Sequence, residues 1–153
     1  MFARFLRCSL LLLVGLRCEA PDSGGKAEYV GGTLATLKQG DEGTIRTTDK
    51  VNFEYGTNQA MVRVPYERIN LLEYGQNVSR RVLLAFAVHP MFLLSKKRAH
   101  FLTVGYQDDE GKQQALVFRV DKKHIRMLLA SLEARTGLKV QFQDEEARKA
   151  GRG

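Results

Sequence analysis

The chain has 153 residues, of which 44% are hydrophobic and 27% charged, and its formal net charge is +7. This length suits a single domain, and the ordinary hydrophobic fraction excludes a chain that is disordered throughout. The two cysteines, Cys8 and Cys18, both lie near the N-terminus, which excludes a disulfide or a thiolate metal site from the rest of the chain. The basic excess is compatible with an anionic partner and also with a solvated surface that has no specific partner.

The first 20 residues have the pattern of a secretory signal. Arg4 and Arg7 precede an apolar run over residues 8–16, and small and polar residues follow. The run is shorter than the roughly 20 apolar residues that a membrane-spanning helix needs. We therefore predict a signal peptide over residues 1–20, cleaved on export to the periplasm or the outside of the cell, and a flexible linker over residues 21–28.

Three alternatives stay open for this N-terminal region. Cleavage after Ala27 would fit a later small-residue site, and lipid attachment at Cys18 would anchor the protein to a membrane. A short apolar helix packed on the domain is the third. Export makes nucleic acid the weakest of the partners that the positive charge suggests.

From Tyr29 onward the pattern is that of short strands separated by turns. In chain order, strands are expected at residues 29–37, 44–48, 51–55, 61–64, 70–75, 100–106 and 114–120. The last two are separated by a polar loop that contains Gly111, which predicts a hairpin.

A helix is predicted over residues 122–136. Asp121 is a suitable N-cap, and Gly137 is a suitable C-terminal stop. Between them, apolar residues recur at the spacing of one helical face, namely Ile125, Leu128, Leu129 and Leu132. Alternation over residues 138–142 predicts an added edge strand, and the charged residues 143–153 are expected to form a disordered tail.

The order of elements over residues 29–142 resembles the pleckstrin-homology-like fold in its bacterial and GRAM-type versions. The resemblance is carried by residues 64–69, by the hairpin over residues 100–120, and by the helix. It implies a mainly β (α+β) domain: a strongly bent antiparallel sheet or partly open barrel of six to seven strands, plugged by one C-terminal amphipathic helix. It also implies a binding module rather than an enzyme. Phosphoinositide-binding members carry a basic cluster on the first hairpin, whereas residues 39–43 are acidic here.

No catalytic or cofactor motif accompanies these elements. His89, His100 and His124 lack the spacing of a helical zinc site, and no phosphate-binding glycine loop or nucleophile elbow is present. The acidic residues 108–110 lack the ligand spacing of a calcium loop, so a solvated hairpin tip is expected there. We therefore predict no enzyme activity, no cofactor and no metal. A hydrolase whose groups converge from separate strands is a third interpretation.

Residues 82–94 form an almost continuous apolar run with basic residues on both sides. One interpretation is a buried core element. The other is a surface-lying or re-entrant membrane contact, because the run is too short to span a bilayer and contains Pro90. On this second interpretation the predicted lipid contacts are Arg80, Arg81, Phe86, Met91, Phe92, Lys96, Lys97 and Arg98.

The sequence thus predicts a non-catalytic exported binding module that associates with an anionic membrane surface. The alternative is a protein–protein interaction module of the cell envelope, which would add a partner's peptide at the strand after Gly137 or beside the helix.

Overall fold

The computed structural model describes residues 24–76 and 99–152. It contains eight strands, one 3₁₀ turn at Tyr66–Arg68, and two helices, α1 at Lys122–Thr136 and α2 at Glu145–Arg152. The strands are β1 Gly25–Gly32, β2 Glu42–Arg46, β3 Asn52–Thr57, β4 Met61–Pro65, β5 Ile69–Gly75, β6 His100–Gln107, β7 Gln113–Val120 and β8 Gln141–Phe142.

The strands form one sheet in the order β4-β3-β2-β1-β7-β6-β5-β8. Two antiparallel meanders, β1 to β4 and β5 to β7, are joined where β1 pairs with β7. In the described part of the chain the sheet is open, with β4 and β8 at its edges. The prediction of a mainly β domain with a helical element is confirmed.

Two details of the predicted sheet are corrected. The sheet has eight strands, and it is mixed rather than wholly antiparallel, because β8 pairs in parallel with β5. The eighth strand is the edge strand that the alternation over residues 138–142 predicts, shortened to two residues.

The hairpin of β6 and β7 is confirmed, with a polar turn between its strands. The Asp108 carboxylate accepts hydrogen bonds from the backbone N–H groups of Glu110 and Lys112, at 3.0 and 2.9 Å. Gly111 adopts a φ of 76°, which a glycine reaches without steric cost. The turn is therefore fixed by the side chain of its first residue, as Asx-type turns are.

The main core lies between the sheet and the two helices. Leu116 and Phe118 on β7 belong to the same buried cluster as the four apolar residues of α1. Phe118 is central, because its ring contacts three other aromatic rings: those of Tyr29, Phe53 and Tyr55. Burial of each such side chain contributes about 1.5–3 kcal/mol to folding, so this cluster holds α1 on the sheet.

Helix α1 has the predicted bounds. The Asp121 side chain accepts a hydrogen bond from the backbone N–H of Lys123 at 3.2 Å, and Gly137 ends the helix in the left-handed conformation. The predicted apolar face is buried. Each boundary therefore follows from a residue that local sequence already identifies.

The prediction of a disordered tail is wrong for residues 145–152, which form α2. The Asp144 carboxylate accepts a hydrogen bond from the backbone N–H of Ala147 at 2.6 Å, which caps the helix. Ala147 is fully buried in the main cluster. Packing of small residues, namely Ala147, Ala150 and Gly151, thus holds this charged helix in place without large apolar side chains.

The start of the domain is also corrected, since β1 begins at Gly25 within the predicted linker. Gly25 pairs with Ile45 on β2, which is a contact between distant positions that local composition does not reveal. Residues 33–37, predicted to continue the first strand, lie beyond its end at Gly32. The chain then turns back, so that Gly40 N–H donates to the Tyr29 backbone oxygen and the Asp41 oxygen accepts from the Tyr29 N–H. The predicted signal peptide, Cys18 and residues 82–94 lie outside the described residues.

Candidate functional site

Two adjoining cavities open on the surface where β1, β6 and the start of α1 meet. Their volumes are about 710 and 510 Å³, and they share His100 and Lys122. The cavities together are called the basic groove here, after the basic side chains at its centre and on its walls: Lys26, His100, Lys122, Arg126 and Lys149.

Three separate elements bring these cations together. Lys26 is an exposed residue of β1, between two buried neighbours, as strand alternation requires. Lys122 opens α1, and Arg126 follows it by one helical turn on the same side. Lys149 comes from α2, the helix that the sequence prediction missed. The groove therefore depends on α2 packing against the core.

The lysines of the groove are not neutralised by the rest of the described chain. Lys26, Lys122 and Lys149 make no ion pair with another described residue. Arg126 donates a hydrogen bond from its Nε to the backbone oxygen of Ala150 at 3.2 Å, and among the described residues no carboxylate forms an ion pair with it.

Four carboxylates also line the cavities, against five Lys and Arg side chains. Two of the four are already engaged: Glu28 pairs with Arg119, and Asp121 caps α1. The remaining two, Glu42 and Glu146, line different cavities, the first and the second respectively. The uncompensated charge around His100 is thus positive.

His100 is anchored at the centre of the groove by Tyr74. The Tyr74 hydroxyl and His100 Nδ1 are hydrogen-bonded, and the two rings are nearly parallel, at 5°. Burial, assisted by the Lys122 charge, lowers the pKa of His100, while Asp121 opposes this shift. Burial raises the pKa of Tyr74 to about 12. At neutral pH the phenol is therefore the donor, the imidazole is neutral, and the charge of the groove comes from lysine and arginine.

The described residues outside the groove do not form a metal or nucleophile site. No group of three His, Cys, Asp or Glu side chains in residues 24–76 and 99–152 could hold a metal ion. The Ser131 hydroxyl donates to Thr47 Oγ1 at 2.8 Å and fastens α1 to the loop after β2. At the hairpin tip, Asp109 pairs with Arg68. These polar groups have structural partners.

The predicted lipid contacts, Arg80 to Arg98, lie outside the described residues, so that site stays a prediction. The basic residues Lys96, Lys97 and Arg98 nevertheless come directly before Ala99 and His100, which line the first cavity. Sequence reasoning missed Lys26, Lys122 and Lys149 because they lie far apart along the chain. The pair Lys122-Lys123 at a predicted helix start was the one signal that could have indicated the groove.

No protein-family model matches the chain, and no curated protein matches it significantly. In the part of the chain that the structure describes, neither helix is long and apolar enough to cross a membrane.

Proposed function

We propose that this chain is a non-catalytic binding module that associates with an anionic membrane surface through the basic groove. The observation that carries the proposal is that three lysines, Lys26, Lys122 and Lys149, meet around His100 and make no ion pair within residues 24–76 and 99–152. In the sequence, the basic residues 96–98 immediately precede Ala99 and His100, which line the groove.

Electrostatic attraction between the basic side chains and anionic lipid headgroups would supply the free energy of such a contact, as it does for juxtamembrane basic clusters. Each Lys or Arg near an anionic bilayer contributes about 1 kcal/mol of attraction, which falls off within a Debye length. The four Lys and Arg side chains around His100 would therefore give weak binding that is sensitive to salt. The predicted contacts Arg80, Arg81 and residues 96–98 would add to it.

We further propose that the domain is pleckstrin-homology-like and exported. Seven strands in two antiparallel meanders, followed directly by an amphipathic helix on the main core, support the first part. The added strand β8 and helix α2 depart from that plan. The signal pattern over residues 1–20 supports a periplasmic or extracellular location for the module.

The experiment is cosedimentation of the full chain with vesicles of phosphatidylglycerol and phosphatidylcholine, and with phosphatidylcholine alone. The groove variant carries Lys26→Glu, Lys122→Glu and Lys149→Glu. The matched control changes three lysines that are equally exposed but lie away from the groove: Lys50→Glu, Lys112→Glu and Lys139→Glu.

We expect the parent to bind only the anionic vesicles. The groove variant should lose about tenfold or more in affinity, while the control, with the same net charge, should change by no more than about threefold. Failure of the parent to bind, or equal losses in the two variants, would overturn the proposal.

Strand addition at β4 is a second candidate, favoured by the open edge of the sheet there. Met61 on this strand is 47% exposed, and nearby Val51 is 64% exposed. The predicted docking strand after Gly137 is instead paired with β5. A partner peptide at β4 would protect the amides of β4 from hydrogen exchange and leave those of the groove unchanged.

A further inference from the structure

A third cavity lies beside the basic groove, between α1, β8 and α2. Its volume is about 400 Å³, toward the small end of the range of ligand sites. The apolar side chains that line it are Met127, Leu129, Ala130, Val140 and Phe142. This cavity is called the apolar pocket below.

The apolar pocket adjoins the second cavity of the basic groove. Arg126 lines both cavities. On α2, residues 149–150 line the groove and residues 151–152 line the pocket. The Nε of Arg126 donates to the Ala150 backbone oxygen, so this side chain reaches from α1 to α2 where the two cavities meet. A basic surface and an apolar one are therefore continuous at Arg126.

The inner wall of the apolar pocket is part of the packed domain. Leu129 and Val140 belong to the main cluster, and both are buried. Gly151 allows α2 to approach closely, since a Cβ there would lie 2.6 Å from the Phe142 ring. A ligand would not have to order these residues, so little of its binding free energy would be lost to ordering.

The rim of the apolar pocket is apolar as well. Met127 is 49% exposed, and within the described chain only Val51 and Met61 are also large, hydrophobic and exposed. Ala130 is exposed too and follows Met127 by three residues, so the two lie on one side of α1. An exposed apolar rim beside a cavity is a feature of ligand-binding grooves.

The charges around the pocket favour an anion at Arg126. Within the described chain only the Nε of Arg126 has a hydrogen-bond partner, so its Nη groups can donate to a phosphate, which a guanidinium binds through two hydrogen bonds. Glu133 is the carboxylate that lines the pocket. It pairs with Arg152 at 3.6 Å and accepts the backbone N–H of Val140 at 2.9 Å. Its charge is thus compensated and does not repel an anion.

We propose that the basic groove and the apolar pocket together bind one anionic amphiphile, namely a lipid with a phosphate headgroup and an alkyl or acyl chain. The headgroup lies among the cations at the Arg126 end of the groove, and the chain lies in the pocket between Met127 and Phe142. This inference rests on the proposed function and specifies its ligand, because it adds a site for the chain of a single lipid molecule to the attraction of a charged surface.

The dimensions of the pocket fit a short chain, or the part of a longer chain nearest the headgroup. Residues 126–133 of α1 span about 10 Å, at 1.5 Å per residue. Each CH₂ that leaves water contributes about 0.8 kcal/mol, which is about a fourfold gain in affinity. Affinity should therefore rise steeply with chain length until the chain fills the pocket.

The test is isothermal titration calorimetry of the full chain with butyl, hexyl and octyl phosphate, each below its critical micelle concentration. Inorganic phosphate tests the headgroup alone, and octyl maltoside tests the chain alone. The pocket variant carries Met127→Asn and Ala130→Asn. The matched control, Val51→Asn and Ala134→Asn, also replaces one exposed large hydrophobic residue and one exposed alanine, but away from the pocket.

We expect octyl phosphate to bind the parent about tenfold or more tightly than hexyl phosphate. In the pocket variant this ratio should fall to about threefold or less, whereas the control should keep the ratio of the parent. Inorganic phosphate and octyl maltoside should each bind the parent at least about tenfold more weakly than octyl phosphate does.

Equal affinities for butyl and octyl phosphate, or the same dependence on chain length in the parent and the pocket variant, would overturn the inference. A parent that is dimeric in sedimentation equilibrium and monomeric as the pocket variant would also overturn it, because a second copy would then fill the pocket. Binding of anionic vesicles without any dependence on chain length would overturn this inference and leave the proposed function standing. Binding of neither vesicles nor alkyl phosphates would overturn both.

Discussion

The hydroxyl of Tyr74 is hydrogen-bonded to Nδ1 of His100, and their rings stack with centroids 6.0 Å apart. Tyr74 is fully buried on β5, whereas His100 lines both cavities of the basic groove. The pair therefore connects the main core with the surface that we propose as the binding site.

The first prediction concerns the pH dependence of stability at His100. Its folded-state pKa lies below the unfolded value of about 6.5, first because of burial and then because of Lys122. The unfolded chain then binds the proton more readily, so stability is full above the unfolded pKa and is lost as pH falls through the folded pKa. In urea denaturation, the free energy of unfolding of His100→Gln should therefore fall less steeply than that of the parent as the pH drops below about 6.5. An identical slope in parent and variant would contradict the assignment.

A second prediction compares two buried tyrosines. The Tyr55 hydroxyl donates to the backbone oxygen of Asp41 at 2.7 Å, and the Ala27 oxygen lies at 3.3 Å. Tyr55→Phe removes the hydroxyl's hydrogen bonds, while the Asp41 oxygen keeps the one from the Tyr29 backbone N–H, and should lower the free energy of unfolding by about 1 kcal/mol. The buried Tyr66 hydroxyl has no hydrogen-bond partner in the described part of the chain, so Tyr66→Phe, the matched control, should be neutral or stabilising. Chemical denaturation of both variants measures the difference. Equal losses of unfolding free energy in Tyr55→Phe and Tyr66→Phe would contradict the prediction.

The third prediction concerns the end of α1 at Gly137. Its φ of 72° is left-handed, and a Cβ there would meet no atom within 4 Å. Gly137→Ala should therefore cost about 1–2 kcal/mol through backbone strain alone. Gly137→Asn is the control and should cost less, because asparagine tolerates this conformation better. A neutral alanine variant in thermal denaturation would show that the helix does not end in this way.

A fourth prediction tests whether α2 is part of the fold. Ala147→Asp places a charge in the main cluster and should destabilise the protein by about 2–4 kcal/mol. The neighbouring Arg148 is exposed, and its pair with Glu145 is a surface pair, so Arg148→Asp should change stability by about 0.5–1 kcal/mol at most. If both substitutions are tolerated equally, α2 does not pack as described.

Local sequence signals account for much of the fold. The bounds of α1 follow from Asp121, Gly137 and the apolar stripe between them, and the turn of the β6–β7 hairpin follows from Asp108 and Gly111. Each of these elements is specified by residues within a few positions of one another. Such elements are the ones that sequence reasoning identifies well.

The remaining features depend on contacts between distant positions. Helix α2 packs through small residues and has no stripe of large apolar ones, so only its cap at Asp144, with acidic residues first and basic residues last, could have predicted it. The start of β1 at Gly25 is set by pairing with β2 and β7. Lys26, Lys122 and Lys149 become neighbours only after β1, α1 and α2 have packed, so the basic groove had no local signature.

The proposed contact is located most directly by hydrogen–deuterium exchange of the full chain, with and without phosphatidylglycerol vesicles. The first-turn amides of α1, at residues 122–124, lack the i→i−4 carbonyl partner of later helical amides, and those of Lys123 and His124 bond to Asp121 instead, so they should exchange faster than the rest of the helix. We predict that vesicles slow exchange there and at residues 145–149, and leave exchange in β4 unchanged. Protection confined to β4, or none at the start of α1 while the protein is bound to the vesicles, would contradict it.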